Sequence, residues 1–386
     1  MRTLVEQLGQ LTIVGLDEDR LGAESEQFVG RVRPGGIIFF QRNIKTAPKF
    51  RRLVEQVRAC CETPPFLALD LEGGSVDRLR DVLAPLPAVR DVAQTGMGEM
   101  LGRIAGRELA AFSLNVDFAP VLDLTSASSR QVMGSRTAGE SPDEVVGFAR
   151  NFLTGLTESG ILGCGKHFPG LGGGTEDSHK ELPVVEKDEA RMWEEDLKPF
   201  RELASELPMI MAAHVFCPLL ERSMGSVGQA GEQLPSTLSR GIVTRLLKER
   251  IGYKGLVVCD DLEMRGVLQG RTMAQAAVMA LKAGCDMLLL CGAESNTQIV
   301  VDAVLSEVES DSALQGLVEQ AAQKVLDAKE KLGIVARSFN SDQSRNRKGA
   351  VTQPGATPAL PDFESLRQEI QQFSAEVRKR LEAQAR

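Results

Sequence analysis

The sequence is poor in aromatic residues and in histidine, with one tryptophan, one tyrosine and three histidines among 386 residues. It also lacks an excess of positive charge, because its formal net charge is −8. Proteins that bind nucleic acids normally present a basic surface with stacking rings, so this composition argues against a nucleic-acid partner. No C-x-x-C pair occurs, and most of the seven cysteines lie in apolar runs. This pattern predicts reduced, buried thiols.

Long apolar segments are absent as well. No run approaches the ~18 residues that a membrane span requires, so we expect no membrane partner. The N-terminal stretch MRTLVEQLGQLTIVGL lacks the basic region and the small-residue cleavage site of a signal peptide. We therefore expect a cytoplasmic protein. Its 42% of hydrophobic residues is enough for a large core.

Short apolar runs recur along the chain and are separated by stretches with helical periodicity, such as residues 144–160, 236–252 and 273–284. The runs are LTIVGL (11–16), GGIIFF (35–40), PFLALDL (65–71), NVDFAPVLDL (115–124), GILGCGKHF (160–168), LPMIMAAHV (207–215), GLVVCDD (255–261) and CDMLLLCG (285–292). Such runs are typical of buried parallel strands. Eight strand-then-helix units predict a single (β/α)8 barrel of the TIM type. A Rossmann-like open sheet is the alternative, but the Gly-rich fingerprint after the first strand is missing.

The predicted barrel domain covers residues 1–335. Residues 336–361 are polar, contain Pro and Gly and show no periodicity, which predicts a flexible linker. Residues 362–386 form a predicted amphipathic C-terminal helix. Its apolar stripe consists of Phe363, Leu366, Ile370, Phe373, Val377 and Leu381. Such a stripe must be buried, either by docking on the barrel or by self-association with a second helix.

Polar residues collect at the carboxyl ends of the predicted strands, where barrels of this type place their active sites. They are Asp70, Asp117, Asp123, Lys166, His167, His214, Asp260 and Asp261. A single aspartate at such a position usually caps a helix or fixes a loop. A convergent group of acids, a lysine and histidines instead predicts a polar pocket for a hydroxyl-rich small molecule.

Three kinds of chemistry compete for this pocket. A metal-dependent hydrolase needs His and Asp ligands, yet the first strand carries no HxH pair. An aldolase-type barrel needs a Schiff-base lysine and Gly-rich phosphate loops after the last two strands, but here the eighth strand ends in CGAESN. A glycosidase needs two groups that flank the scissile bond, a carboxylate nucleophile and an acid/base. The residues favour the glycosidase.

Seven motifs support this interpretation further. They are LALDLEGGSVDRLR (67–80), NVDFAPVLDL (115–124), GSRTAGESP (134–142), KHFPG (166–170), DSHKELP (177–183), AAHV (212–215) and LVVCDDLEM (256–264). In order and spacing they resemble the motifs of glycoside hydrolase family 3. The DSH segment resembles the β-N-acetylglucosaminidase, or β-hexosaminidase, branch rather than the β-glucosidases. The resemblance covers about residues 10–335 and leaves out the C-terminal segment.

The resemblance implies a β-N-acetylhexosaminidase that removes terminal β-linked N-acetylglucosamine with retention and needs neither a metal nor an organic cofactor. Asp260 would be the nucleophile that forms a covalent glycosyl-enzyme, and His179 with Asp177 would form the acid/base dyad. His214 would have a supporting role. Sugar binding would fall to Asp70, Arg78, Arg136, Lys166 and His167. The implied substrate is a carbohydrate, in a bacterial cytoplasm a muropeptide from peptidoglycan recycling.

The chain departs from the family pattern in the loop that carries the dyad. The common form reads KHFPGHG followed by Asp-Thr, whereas this chain has Leu171 and the pair Gly173-Gly174. The spacing from Lys166 to His179 is kept, and the glycines predict a hinged loop. Two alternatives stay open. The protein could be a phosphorylase, since a histidine acid/base does not repel phosphate as a carboxylate does, or a sugar-binding homologue with weakened catalysis.

Overall fold

The computed structural model describes residues 2–126, 129–174, 181–225, 233–334 and 362–386. Ten strands are present in this part of the chain: β1 Thr12–Gly15, β2 Gly36–Ile38, β3 Phe66–Leu69, β4 Leu71–Gly73, β5 Val76–Asp77, β6 Val116–Asp117, β7 Leu162–Phe168, β8 Met209–Ala212, β9 Leu256–Cys259 and β10 Leu288–Leu290. Eight of them form one parallel sheet in the order β10, β1, β2, β3, β6, β7, β8, β9. A bridge between Val258 and Met287 closes the sheet into a barrel. The predicted (β/α)8 fold is therefore confirmed.

Helices cover the outside of the barrel. Within the described residues, the α-helices are α1 Leu4–Gln10, α2 Ala23–Val32, α3 Ala47–Cys60, α4 Val89–Gln94, α5 Gly98–Ala111, α6 Arg130–Met133, α7 Pro142–Thr157, α8 Glu189–Glu194, α9 Lys198–Leu203, α10 Pro218–Ser223, α11 Arg265–Leu268, α12 Met273–Ala283, α13 Glu294–Ser310, α14 Ser312–Lys331 and α15 Phe363–Gln384. Residues Gly241–Arg250 form a π-helix. None of these helices has the length and apolar character that a bilayer crossing requires.

Helices α5 and α7 pack unusually closely, because glycines stand at their contact. A Cβ on Gly102 would lie 2.0 Å from the carbonyl oxygen of Phe152, and one on Gly155 would lie 2.1 Å from that of Glu99. Any larger residue at either position would push the two helices apart. These glycines therefore determine how the outer layer sits beside β6 and β7.

A small antiparallel hairpin interrupts the alternation of strands and helices after β3. Strand β4 pairs with β5, and Gly73 and Gly74 turn between them at φ values of 101° and 59°. Positive φ is readily accessible to glycine, which explains the Gly-Gly pair in the motif. The apolar pattern did not predict this hairpin, because each of its strands is only two or three residues long. It lies at the carboxyl end of the barrel, where Glu72 and Val76 line a cavity.

The C-terminal helix α15 docks on the same chain, against α4 and α5. Leu366, Ile370, Phe373 and Val377 of the predicted stripe are buried, and the Phe363 ring stacks on Phe112 with 5.1 Å between centroids. Of the two expected ways to cover the stripe, the structure shows docking on the barrel. The predicted linker 336–361 lies outside the described residues.

We predict that Ile370→Ala loosens α15 without changing the molecular mass in solution. Ile370 is fully buried, so its truncation should reduce the free energy of docking of α15 by about 2–5 kcal/mol. The measurement is hydrogen exchange of residues 362–386, which should accelerate. Ile299→Ala is the matched control, because Ile299 on α13 is 66% exposed. A fall in mass caused by Ile370→Ala alone would show that the stripe is buried between chains.

Candidate active site

A cavity of about 300 Å³ opens at the carboxyl ends of the barrel strands. This volume lies at the lower end of the range for small-molecule sites. Its lining includes six residues predicted from the sequence: Asp70, Arg78, Arg136, Lys166, His167 and Asp260. The structure thus brings together residues from motifs that are up to 190 positions apart in the chain.

A buried ion-pair network forms the floor of the cavity. Lys166 donates to Asp70 Oδ1 at 2.8 Å and lies 2.6 Å from Glu72 Oε1. Arg136 donates to the two oxygens of Glu72 through Nε and Nη2, at 2.7 and 2.8 Å. Burial alone would lower the pKa of Lys166, but Asp70 and Glu72 outweigh it and raise that pKa. Lys166 is therefore charged at neutral pH.

Glu72 is the central member of this network, although the sequence patterns did not predict it as a site residue. Its side chain is 1% exposed and contacts both cations. Burial works to raise its pKa, but Lys166 and Arg136 prevail and hold the pKa well below the usual range. One signal could have revealed it. Asp70 and Glu72 are two residues apart in an extended segment, so they face the same side.

Lys166 and His167 both line the cavity although they are neighbours in a strand. In a regular strand, consecutive side chains point to opposite faces. Here the register between β7 and β8 shifts, since Lys166 is opposite Met211 while Phe168 is opposite Ala212. This bulge leaves His167 as the extra residue. Bulges of this kind redirect a side chain next to an active site.

Asp123 holds both His167 and the start of the glycine-rich loop. Its Oδ2 lies 2.6 Å from His167 Nδ1, and its Oδ1 accepts from the Leu171 amide at 2.7 Å. With Nδ1 engaged, Nε2 is the ring nitrogen that remains for a ligand. Leu171 itself lines the cavity. The structure therefore gives Asp123 a role in orienting His167.

Arg78 follows the β4–β5 hairpin and reaches the cavity from its rim. Its Nη2 lies 3.7 Å from Asp70 Oδ2, which is beyond hydrogen-bond distance. Its Nε is buried and has no hydrogen-bond partner among the residues described by the structure. Arg78 thus has donor capacity that its neighbours in this part of the chain do not use.

Asp260 and Asp261 end β9, and both line the cavity. Asp260 Oδ1 accepts from the Asp261 amide at 2.8 Å. Burial would raise the pKa of Asp260, but nearby His214, His167, the Asp261 amide and Lys166 outweigh it and lower that pKa. Burial raises the pKa of Asp261 to about 6. Asp261 Oδ1 accepts from the amides of Glu263 and Cys291, both at 3.2 Å.

His214 lies below the cavity and does not line it. The side chain is fully buried, and its Nε2 is 2.9 Å from the carbonyl oxygen of Asp261. Burial lowers the pKa of His214, so the ring is neutral at neutral pH. A neutral ring that donates from Nε2 to this carbonyl supports the turn that carries Asp260 and Asp261.

Asp177 and His179, the predicted dyad, lie outside the described residues. Within the described ranges, no three His, Cys, Asp or Glu side chains are grouped so that they could hold a metal ion. What the described site offers is an ionised carboxylate, Asp260, beside a set of cationic and hydrogen-bonding groups. Such a site can bind a polyhydroxylated molecule and attack an electrophilic carbon.

Residues 3–328 match the model of the glycosyl hydrolase family 3 N-terminal domain. The chain belongs to glycosyl hydrolase family 3. The predicted family resemblance is thereby confirmed.

Curated relatives are similar to this chain over most of their length. A protein named beta-hexosaminidase from Alkalilimnicola ehrlichii is 37% identical over 294 residues, covering 74% of this chain and 81% of its own. A beta-hexosaminidase from Idiomarina loihiensis is 33% identical over 301 residues, covering 76% and 87% respectively.

Solved structures of family 3 share the fold. A β-N-acetylglucosaminidase from Paenibacillus sp. str. FPU-7 has a TM-score of 0.81 and 27% identity, over 97% of this chain and 69% of its own. The β-N-acetylglucosaminidase from Thermotoga maritima has a TM-score of 0.72 and 27% identity, over 86% and 68%.

We predict that Glu72→Gln destabilises this family 3 barrel, because it removes the buried carboxylate that Lys166 and Arg136 share and leaves only Asp70 to pair with Lys166. The free energy of unfolding at pH 7 should fall by about 3–5 kcal/mol in denaturant titrations. The folded-state pKa of Glu72 is depressed, so its contribution to stability is fully present above the unfolded pKa of ~4.3 and declines as pH falls from there towards the folded-state pKa. The difference between wild type and variant should therefore narrow below about pH 4.

Glu158→Gln is the control for this experiment. Glu158 pairs with Arg103 on the surface, where its side chain is 48% exposed, so its loss should change stability little at any pH. Equal stability of Glu72→Gln and wild type at pH 7 would contradict the central role of the buried network.

Proposed function

We propose that this protein is a retaining β-N-acetylhexosaminidase that removes terminal, non-reducing β-linked N-acetylglucosamine. Family membership and the names of the curated and solved relatives support a hydrolase that acts on N-acetylhexosaminides. The observation that carries the proposal is the ionised Asp260 at the end of β9, in a cavity lined by Lys166, His167, Arg78 and Arg136.

In the first step, Asp260 attacks the anomeric carbon and the bond to the glycosidic oxygen breaks. The amide of Asp261 holds Oδ1, so Oδ2 is the oxygen available to form the covalent glycosyl-enzyme. The leaving oxygen takes a proton from the acid. In the second step, water gives a proton to the same group, now a base, and displaces Asp260 from the sugar.

The acid/base in this proposal is His179, oriented by Asp177. Histidine has an ordinary pKa of ~6.5, so it can donate in one step and accept in the next near neutral pH. Asp177 is two residues away and would accept the Nδ1 proton, which sets the tautomer and stabilises the imidazolium. The glycine-rich loop would carry the dyad to the cavity.

Sugar hydroxyls would be bound by Asp70, Arg78, Arg136, Lys166 and His167. Glu72 accepts from Nε and from one hydrogen of Nη2 of Arg136, so Nη1 and the second Nη2 hydrogen are left for a ligand. Hydrogen bonds from charged groups are the strong ones, and a substrate that lacks a matching hydroxyl would leave them unpaired. His214 would act from below by supporting the Asp260 turn. The family resemblance extends the proposed substrate to muropeptides that carry N-acetylglucosamine on 1,6-anhydro-N-acetylmuramic acid.

Asp260→Asn should lower kcat for a chromogenic β-N-acetylglucosaminide by about 10⁴-fold or more, since no nucleophile remains. Asp261→Asn is the matched variant. It keeps an oxygen that can accept the Glu263 and Cys291 amides, so it should retain much more activity. Steady-state rates of both variants decide which carboxylate is the nucleophile, and the opposite order would refute the assignment. A wild type that binds the sugar without turnover would favour a sugar-binding homologue.

His179→Ala should slow a glycoside with a poor leaving group far more than one with an acidic phenol, because only the first needs a proton donor to break its bond. With the acidic phenol, deglycosylation still lacks its base, so a burst of phenol followed by slow turnover is expected. Equal losses on both substrates would exclude His179 as the acid. The same assays in phosphate buffer test the alternative activity, since N-acetylglucosamine 1-phosphate as product would identify a phosphorylase.

A further inference from the structure

Helix α15 makes polar contacts with one particular segment, the Arg78 loop, which we define as residues 78–88. Arg367 donates from Nε to the carbonyl oxygen of Leu83 at 3.1 Å and from Nη2 to that of Val82 at 3.2 Å. Ser374 Oγ donates to the carbonyl oxygen of Pro85 at 3.3 Å. Carbonyl groups in an irregular loop need such partners, because no sheet or helix provides them. The C-terminal helix therefore braces this loop along its length.

The other side of the Arg78 loop is closed by Asp77. This carboxylate accepts from the amides of Leu79 and Leu86, at 3.0 and 2.9 Å. The side chains of Leu79, Val82, Leu83 and Leu86 are buried beneath the loop. The loop is thus a compact unit with Arg78 at its first position, held from inside by Asp77 and from outside by Arg367.

Arg78 itself depends on this backbone for its placement. Among the residues that the structure describes, its closest carboxylate oxygen, on Asp70, is 3.7 Å away, and its guanidinium carbon lies 5.9 Å from the centre of the Phe40 ring. Neither contact has the geometry of a strong hydrogen bond. Because the position of a catalytic or binding group must be held within about 0.5 Å, the surrounding structure has to supply that precision.

We infer that α15 is a strap that positions the sugar-binding Arg78, with Arg367 as its principal positioning residue. The inference rests on the proposed role of Arg78 in binding the sugar. Arg367 does not line the cavity, so it acts only through the loop. Loss of its two hydrogen bonds would widen the range of positions that Arg78 samples and weaken ground-state binding of the sugar, while the Asp260 chemistry stays intact.

Arg380 provides the matched control on the same helix. It also donates to a barrel carbonyl, that of Thr95 at 3.4 Å, but Thr95 follows α4 and is not part of the Arg78 loop. Arg380→Ala therefore removes an arginine contact between α15 and the barrel without touching the strap's target. A kinetic effect that both variants share would come from general loosening of α15. An effect of Arg367→Ala alone would come from the loss of its contacts with the Arg78 loop.

The test uses the full-length chain and compares wild type with Arg367→Ala, Arg380→Ala, Arg78→Ala and the double variant of Arg367 and Arg78. The readouts are KM and kcat for a chromogenic β-N-acetylglucosaminide and the inhibition constant of N-acetylglucosamine, with melting temperature as a check on folding. Arg367→Ala should raise KM and the inhibition constant by about 3- to 10-fold, with kcat within about twofold of wild type. Arg380→Ala should leave all three kinetic constants within about twofold. The double variant should be no worse than Arg78→Ala alone, because Arg367 acts through Arg78.

Three outcomes would overturn the strap. In the first, Arg78→Ala raises KM while Arg367→Ala does not. In the second, the effects of Arg367→Ala and Arg78→Ala on KM multiply in the double variant. Either result shows that Arg367 does not act through Arg78, and it refutes the strap alone. If Arg78→Ala leaves KM and the inhibition constant unchanged, the sugar-binding role of Arg78 fails and the strap fails with it, while the roles of Asp260 and His179 are unaffected. A folded wild type that neither turns over the glycoside nor binds N-acetylglucosamine would refute the proposed function as a whole.

Discussion

The burial of the Lys166 ammonium at the end of β7 is the constraint on which the rest of the site depends. A lone buried cation would cost several kcal/mol. Two carboxylates, from Asp70 and Glu72, offset that cost, and Glu72 in turn requires Arg136. Asp70 and Glu72 come from one segment, at the end of β3 and in β4, and Arg136 comes from the loop after α6. Their pairing therefore draws two separate segments onto β7. The shape of the cavity follows from that pairing, because each member occupies a fixed part of its floor.

The same electrostatic environment separates the two carboxyl groups at the end of β9. Burial disfavours the anion of Asp260, but His214, His167, the Asp261 amide and Lys166 together outweigh burial and lower the pKa. For Asp261 burial dominates, the neighbouring charge of Asp260 adds to it, and the pKa rises to about 6. Adjacent carboxyls whose environments push their pKa values apart can take different roles. The physical difference lies in the surroundings, since the residues themselves are identical and consecutive.

The barrel could be predicted from the sequence because its strands are buried on both faces and therefore appear as continuous apolar runs. The hairpin β4–β5 could not, since its strands are too short to show a pattern. Glu72 lies in β4, so the pattern of apolar runs did not reveal it either, although it is part of the motif at residues 67–80. The positions of Lys166 and His167 on one cavity required a bulge, and a shift in register leaves no trace in composition. The amphipathic stripe of α15 predicted burial, but a stripe alone does not specify which surface covers it.

The contribution of α15 to the molecule becomes clear from a comparison with what the barrel already forms without it. The match to the family model ends at residue 328, and the eight strands close into a sheet without any contribution from α15. Helix α15 is therefore not needed to complete the sheet. What it adds is a set of side-chain donors for loop carbonyls that precede them by more than 280 residues. Those carbonyls, of Val82, Leu83 and Pro85, belong to a loop whose apolar side chains are buried beneath it, so without the helix they would bond to water. Replacing water by Arg367 restricts the motion of the backbone that carries Arg78. The C-terminal helix thus restricts the motion of the loop at the rim of the cavity, while the buried ion pairs hold the side chains of its floor in place.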